Sequence, residues 1–214
     1  MTNKDYIDLD YRWGAHNYKP IPVTFTRGEG IYLWDVEGNR FLDFLCGYSS
    51  TNQGHCHPEI AKVMIEQCTK LTQTSRAFHN DKYGEYCKFL AQTFGYDKVL
   101  PMNSGVEACE TAIKLARRWG YAVKGVPDNQ ANVIMAKGNF WGRTITASGA
   151  SDDPSRYTGF GPFTPGFDLV EYNNLKAMEE KLAADKNIVA VMLEPIQGEA
   201  GVLIPHEGYL KGMR

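Results

Sequence analysis

Residues 99–120, Val-Leu-Pro-Met-Asn-Ser-Gly-Val-Glu-Ala-Cys-Glu-Thr-Ala-Ile-Lys-Leu-Ala-Arg-Arg-Trp-Gly, constrain the fold of this chain more than any other stretch. They read as a short apolar strand end at Val99-Leu100, a small polar turn, and a long amphipathic helix. Val106, Cys109, Ile113 and Ala116 recur at helical spacing on one face. Ser104 followed by Glu107 fits a capping box at the helix start. Gly105 leaves the backbone approachable, because it has no Cβ. A helix N-terminus offers unpaired N–H groups and the positive end of the helix dipole, which suit a phosphate. The same residues also suit an ordinary capped helix that holds nothing.

The rest of the chain repeats this alternation of apolar runs and helical patterns. Residues 1–30 read as irregular, with Pro20 and Pro22 favouring an extended path. Ile31–Asp35 and Phe41–Leu45 predict a hairpin turning at Gly38-Asn39. Helices are predicted over Pro58–Leu71, with Pro58 in the first turn, over Asp81–Phe94, closed by Gly95, and over Asn173–Ala184. Asn132–Ala136 and Ile188–Leu193 read as strands. The second is apolar on both faces, which suits a central buried position. Ser151–Gly166, rich in Gly, Pro, Ser and Asp, reads as a long loop. Strands alternating with helices predict an α/β fold, a mostly parallel sheet with helices on both faces.

Composition narrows the partners. The 214 residues are 43% hydrophobic and 22% charged, as in a globular protein. A formal net charge of −2 favours neither nucleic acid nor an anionic membrane. No apolar run reaches the length of a membrane span. The first ten residues are acidic and lack an apolar core, unlike a secretory or mitochondrial leader, so a cytoplasmic location is expected. Cys46, Cys56, Cys68, Cys87 and Cys109 are irregularly spaced and read as reduced thiols. His55-Cys56-His57 has no further ligands at zinc-site spacing, so no metal is expected.

Ligands in sheets of this kind bind beyond the carboxyl ends of the strands. Three such ends carry unusual residues: Asn103-Ser104-Gly105, Gly138-Asn139-Phe140-Trp141-Gly142-Arg143, and Glu194-Pro195-Ile196-Gln197-Gly198-Glu199-Ala200-Gly201. They offer a phosphate cradle, two aromatics, an arginine and two carboxylates. That set suits a planar phosphorylated cofactor and a substrate bearing a carboxylate. By residue type alone, Phe140 also suits core packing and Arg143 an ordinary surface site.

These strings resemble the class III, pyridoxal-phosphate-dependent aminotransferases, and within them the ornithine branch. Further matching strings are Gly14-Ala15-His16-Asn17-Tyr18, Gly30–Gly38, Asn52–Pro58, Leu71–Phe78 and Gly159–Phe163, so the resemblance runs along essentially the whole chain. It implies the fold type I architecture of aspartate aminotransferase. It implies pyridoxal 5'-phosphate as cofactor, with its phosphate on Ser104, Gly105 and Val106 and its ring stacked on Phe140. The implied substrates are ornithine and 2-oxoglutarate, and the implied reaction is δ-amino transfer on the route from ornithine to proline. Arg143 would grip the α-carboxylate of ornithine. Tyr18, Tyr48 and Trp141 would line the substrate pocket, and Glu194 would order it. Glu199 would mask a second arginine while ornithine is bound. A homodimer or higher homo-oligomer is implied. Related enzymes acting on acetylornithine or 4-aminobutyrate are the alternative.

The resemblance also implies groups that this sequence does not supply. The lysine that forms a Schiff base with the cofactor, the acid that holds the pyridine nitrogen, and the second arginine are all expected beyond Arg214. Residues 1–50 would then belong with the family's small domain and 51–214 with the first part of its large domain. The 214 residues alone are expected to be inactive, or to act as a non-catalytic partner of full-length subunits.

Overall fold

A computed structural model describes residues 1–214. The chain divides into two compact units, Met1–Lys88 and Phe89–Arg214.

In the first unit, Thr2 opens helix α1 (Asn3–Trp13) with a complete capping box. Its hydroxyl accepts the Asp5 N–H at 3.3 Å, and the Asp5 carboxylate accepts the Thr2 N–H at 2.7 Å. This corrects the irregular reading of residues 1–30. The Thr-x-x-Asp signal was present, but the weak apolar periodicity that follows it hid the helix. Asn3 ties the helix start down, donating to Asp35 at 3.1 Å and accepting from Thr24 N–H at 2.6 Å.

Strands β1 (Phe25–Glu29), β2 (Tyr32–Asp35) and β3 (Arg40–Leu42) form an antiparallel sheet in that order. The expected hairpin is β2–β3. Gly38 takes a φ of 88° in its turn, which a side chain would disfavour. The buried Asp35 carboxylate organises this turn, accepting from the Asn39 side chain and from the Glu37 and Asn39 amides. The Asn39 side chain leads in holding that carboxyl below the usual range. His55 is a structural residue here: its backbone bridges Gly30 and its Nε2 lies 2.7 Å from Asp43. A short kinked helix α2 (Cys46–Ser49) precedes α3 (Pro58–Lys70) and α4 (Tyr83–Phe94), the latter closed by Gly95 at φ 72° as predicted.

In the second unit, α5 (Gly105–Trp119) is followed by a π turn over Gly120–Lys124. Then come β4 (Asn132–Ala136), α6 (Ile145–Gly149), α7 (Pro154–Tyr157), β5 (Phe167–Val170), α8 (Leu175–Ala184), β6 (Ile188–Met192) and α9 (Tyr209–Met213). The strands form a parallel sheet of order β5-β4-β6, with Val133 opposite Phe167 on one side and Ala190 on the other. Alternation along β4 sends Val133 and Met135 to one face, where Ile113 of α5 packs. Ile134 points to the other face and meets Met178 of α8. The expected parallel sheet with helices on both faces is therefore the core of this unit.

Two further sequence expectations are corrected, and a strand lies where none was expected. Val99-Leu100 is not a strand, because a strand exists only by pairing and this segment has no ladder partner in the chain. β5 lies where no element was expected; four residues after Pro165-Gly166 are too short to show a period. The loop over 151–166 contains α7, capped by Asp153. Within residues 1–214, Ile188–Met192 lies at one edge of the sheet although its apolar faces suit a covered position, and β4 lies between its two neighbours.

Candidate functional site

The site is assembled at the carboxyl ends of β4 and β6 and at the N-terminus of α5. At α5, Ser104 Oγ accepts the Glu107 N–H at 3.3 Å and donates to the Glu107 carboxylate at 3.1 Å. Glu107 thus reaches the Ser104 hydroxyl instead of its amide, so half of the predicted capping box forms. The amides of Gly105 and Val106 lie in the first turn, where no intrahelical acceptor exists. A side chain built at Gly105 would meet nothing within 4 Å. The first-turn amides therefore have no partner within the helix, and no neighbouring atom crowds the Cβ position of Gly105.

The loop after β4 is held against that helix start. A Cβ at Gly142, whose φ is 147°, would overlap the Val106 side chain, so only glycine permits this approach. Thr144 Oγ1 donates to Glu110 of α5 at 2.8 Å. Trp141 packs on the cluster of Ile113, Val133, Met135 and Ala150. Asn139, buried, donates to the carbonyls of Ala136 and Ala150 at 2.8 and 2.9 Å.

The loop after β6 meets the same segment. Glu194 Oε1 accepts the Phe140 N–H at 2.8 Å. Gln197, 1% exposed, donates to the Lys137 carbonyl at 2.7 Å. Tyr172, after β5, donates to the carbonyls of Glu194 and Pro195. Burial, with Tyr209 and Glu194 nearby, pushes the Tyr172 phenol up from its ordinary pKa. Lys137 pairs with Glu171, whose carboxylate holds the ammonium above its usual value. Burial, and then Glu110, raise the Cys109 thiol. Two cations lie over the Phe140 ring, Arg143 at 6.0 Å and Arg156 at 5.0 Å from its centroid.

Of the residues singled out by sequence, Ser104, Gly105, Val106, Phe140, Trp141, Arg143 and Glu194 lie in the C-terminal unit around these loops. Glu199 lies in the same unit, exposed in the turn over 198–201. Tyr18 and Tyr48 belong to the N-terminal unit, 55% and 72% exposed, and Tyr48 holds a φ of 55°. Arg156, Glu110, Thr144 and Tyr172 were not anticipated. Glu110, Thr144 and Tyr172 act across 20 or more residues of sequence, and Arg156 acts across 16 and 17 from the short helix α7, so no local pattern marks them.

Comparison with known proteins bears on this arrangement. The family model for Aminotransferase class-III matches residues 13–214. The chain belongs to the class III aminotransferases. It is 59% identical over 203 residues to an ornithine aminotransferase, mitochondrial, from Drosophila melanogaster, covering 95% of this chain and 47% of that protein. It is 55% identical over 213 residues to the one from Rattus norvegicus, covering 99% and 48%. The crystal structure of the ornithine aminotransferase from Toxoplasma gondii ME49 superposes with a TM-score of 0.97 at 48% identity, covering 99% of this chain and 50% of that one. An acetylornithine aminotransferase from Elizabethkingia anophelis follows with a TM-score of 0.84 at 47% identity, covering 99% and 49%. The chain spans about half the length of the relatives it matches.

Class III aminotransferases depend on pyridoxal phosphate, and this chain's residues fit part of that requirement. First-turn amides beside an uncrowded Gly105 suit a phosphate. An aromatic held at its own peptide by Glu194 suits one face of a pyridine ring. In this class III chain the fit is a partial site, built from a helix start and two strand-end loops.

Proposed function

We propose that this chain is part of an ornithine aminotransferase that moves the terminal amine of ornithine to 2-oxoglutarate through pyridoxal phosphate. The observation that carries this reading is the 55–59% identity to animal ornithine aminotransferases along nearly the whole chain. In the proposed site the amides of Gly105 and Val106, with the Ser104 hydroxyl, hold the cofactor phosphate, and Phe140 stacks on its ring. When bound, the cofactor supplies an electron sink for breaking bonds at the amine-bearing carbon. Arg143 offers a planar fork to the donor's α-carboxylate, a geometry that two parallel N–H···O bonds favour. Glu194 keeps the Phe140 loop in place. Trp141 would line the donor pocket, and Glu199 would mask a second arginine that binds the acceptor's extra carboxylate.

That arginine, the cofactor-binding lysine and the acid facing the pyridine nitrogen are assigned to the remaining half of the protein. With them go a small C-terminal domain, to which residues 1–50 would belong, and homodimer formation. A cytoplasmic location is proposed. The names of the fly and rat relatives raise the mitochondrion as the other location, and cell fractionation separates the two. The second reading, an acetylornithine enzyme, is favoured by the Elizabethkingia anophelis structure at 47% identity. Steady-state kinetics of the full-length protein with ornithine, N-acetylornithine and 4-aminobutyrate decide between them. Ornithine is expected to have the highest kcat/KM, and a preference for either competitor would overturn the proposed donor.

A further inference from the structure

The carbonyl of Asn139 and the amide of Phe140 are two ends of one peptide group, and both ends are bound by charged side chains. Arg156 Nη1 donates to the Asn139 carbonyl at 2.8 Å, and Glu194 accepts the Phe140 N–H at 2.8 Å. A cation thus sits at the negative pole of the peptide dipole and an anion at its positive pole. Hydrogen bonds to ionised groups are stronger than neutral ones, and here the two act on one dipole in the same sense. Rotating this peptide would break both. The peptide plane sets where the Phe140 Cα–Cβ bond points, and hence where the ring lies.

Arg156 also acts on the ring itself. Its guanidinium carbon lies 5.0 Å from the Phe140 centroid, within cation–π range. Its own position is secured by Asp153, whose carboxylate lies 3.3 Å from Nε and also caps α7. The side chain is one quarter exposed. Arg156 is thus held at one end by α7 and applied at the other to both the backbone and the ring of residue 140.

We propose that Arg156 is a positioning residue: with Glu194 it clamps the 139–140 peptide and, by stacking, fixes the tilt of the Phe140 ring against the cofactor. This rests on the proposed placement of Phe140 at the cofactor ring.

The test uses the full-length holoenzyme with Phe140→Leu, Arg156→Ala and Arg156→Lys. Three quantities are measured: the dissociation constant of pyridoxal phosphate by equilibrium dialysis, the visible circular dichroism of the bound cofactor, and the melting temperature of the apoprotein. Phe140→Leu is expected to raise the dissociation constant, and Arg156→Ala to raise it about five-fold with a weakened dichroic band. Arg156→Lys, which keeps a cation for the carbonyl but not the planar stack, is expected to melt like wild type and recover part of the affinity while the dichroic band stays reduced. Phe140→Leu/Arg156→Ala is expected to bind no more weakly than Phe140→Leu alone. If Arg156→Ala fails to fold, the dichroic band of Arg156→Lys decides. A wild-type band and affinity in the Arg156 variants beside a defective Phe140→Leu would overturn the role of Arg156 and leave the site standing. Wild-type binding by Phe140→Leu would overturn the site reading and the clamp with it.

Discussion

At the scale of single residues, Arg143 is the cation that the proposed chemistry needs most. It follows the loop pinned by Asn139, Glu194 and the Gly142–Val106 contact, so its main chain is held although its side chain reaches toward the surface. Truncating one partner of a buried hydrogen-bonded charge pair, as a carboxylate bound in the proposed pocket would make with Arg143, costs roughly 2–5 kcal/mol. In the full-length protein, Arg143→Ala should therefore raise the KM for ornithine by a factor of about 30 or more. An unchanged KM would remove Arg143 from the carboxylate site. Sequence marked this arginine, Phe140 and Glu194, because each lies within a few residues of a strand end. It could not mark Arg156, whose partners Asn139 and Phe140 lie 17 and 16 residues back along an irregular path.

At the scale of elements, the contact between α5 and β6 depends on Gly120. This glycine is helical and buried, and a Cβ on it would overlap Val189 Cγ1. The helical path continues through it to Gly125, whose φ of 77° ends the turn. Alanine improves helix propensity by up to about 1 kcal/mol, but overpacking of this kind costs about 1–3 kcal/mol. Gly120→Ala should lower the urea midpoint of the full-length protein, and adding Val189→Ala should restore part of it. A Gly120→Ala protein that melts like wild type would show that the two elements can separate freely.

The amino-terminal ends of β4 and β5 carry an electrostatic tie. The Asp168 carboxylate of β5 accepts from Lys181 of α8 at 2.8 Å and from Asn132 of β4 at 2.6 Å. Lys181 leads in holding its carboxyl below the usual range, against the opposing effect of burial. The sign follows from linkage: a carboxyl with a lowered folded pKa stabilises fully above its unfolded value near 4, and that contribution is lost as pH falls through the folded value. Asp168→Asn should therefore destabilise the protein at pH 7 and less so at pH 3. Equal destabilisation at both pH values, read from urea melts, would assign the effect to packing and not to charge.

At the scale of the whole molecule, the accessible surface is 16049 Å², against about 9,900 Å² for a folded monomer of 24.0 kDa. Much of the excess is apolar: Phe44 is 92% exposed, Ile21 80%, Trp13 75%, Val63 61% and Phe94 65%. β6 adds a sheet edge bearing Ile188, Val189, Val191 and Met192, which invites pairing with other chains. Residues 1–214 expressed alone should bind 8-anilinonaphthalene-1-sulfonate and melt without a sharp transition. A cooperative melt of the monomer with dispersed amide resonances would establish this segment as an autonomous domain.

The sequence by itself determined what depends on near neighbours. The period of α5, the Gly38 turn, the Gly95 stop and the apolar runs of β4 and β6 all follow from spacing within one element. The alternation of those elements also fixed the parallel sheet with a helix on each face. Tertiary structure decided what depends on distant partners. Val99-Leu100 has strand composition but nothing to pair with, while β5, with little local signal, pairs with β4. Gly120 is a contact point because Val189 arrives there, and the 139–140 peptide is clamped because Arg156 and Glu194 arrive from 17 and 54 residues away. A strand edge, a close approach and a charge clamp each need a second segment, and folding alone brings it there.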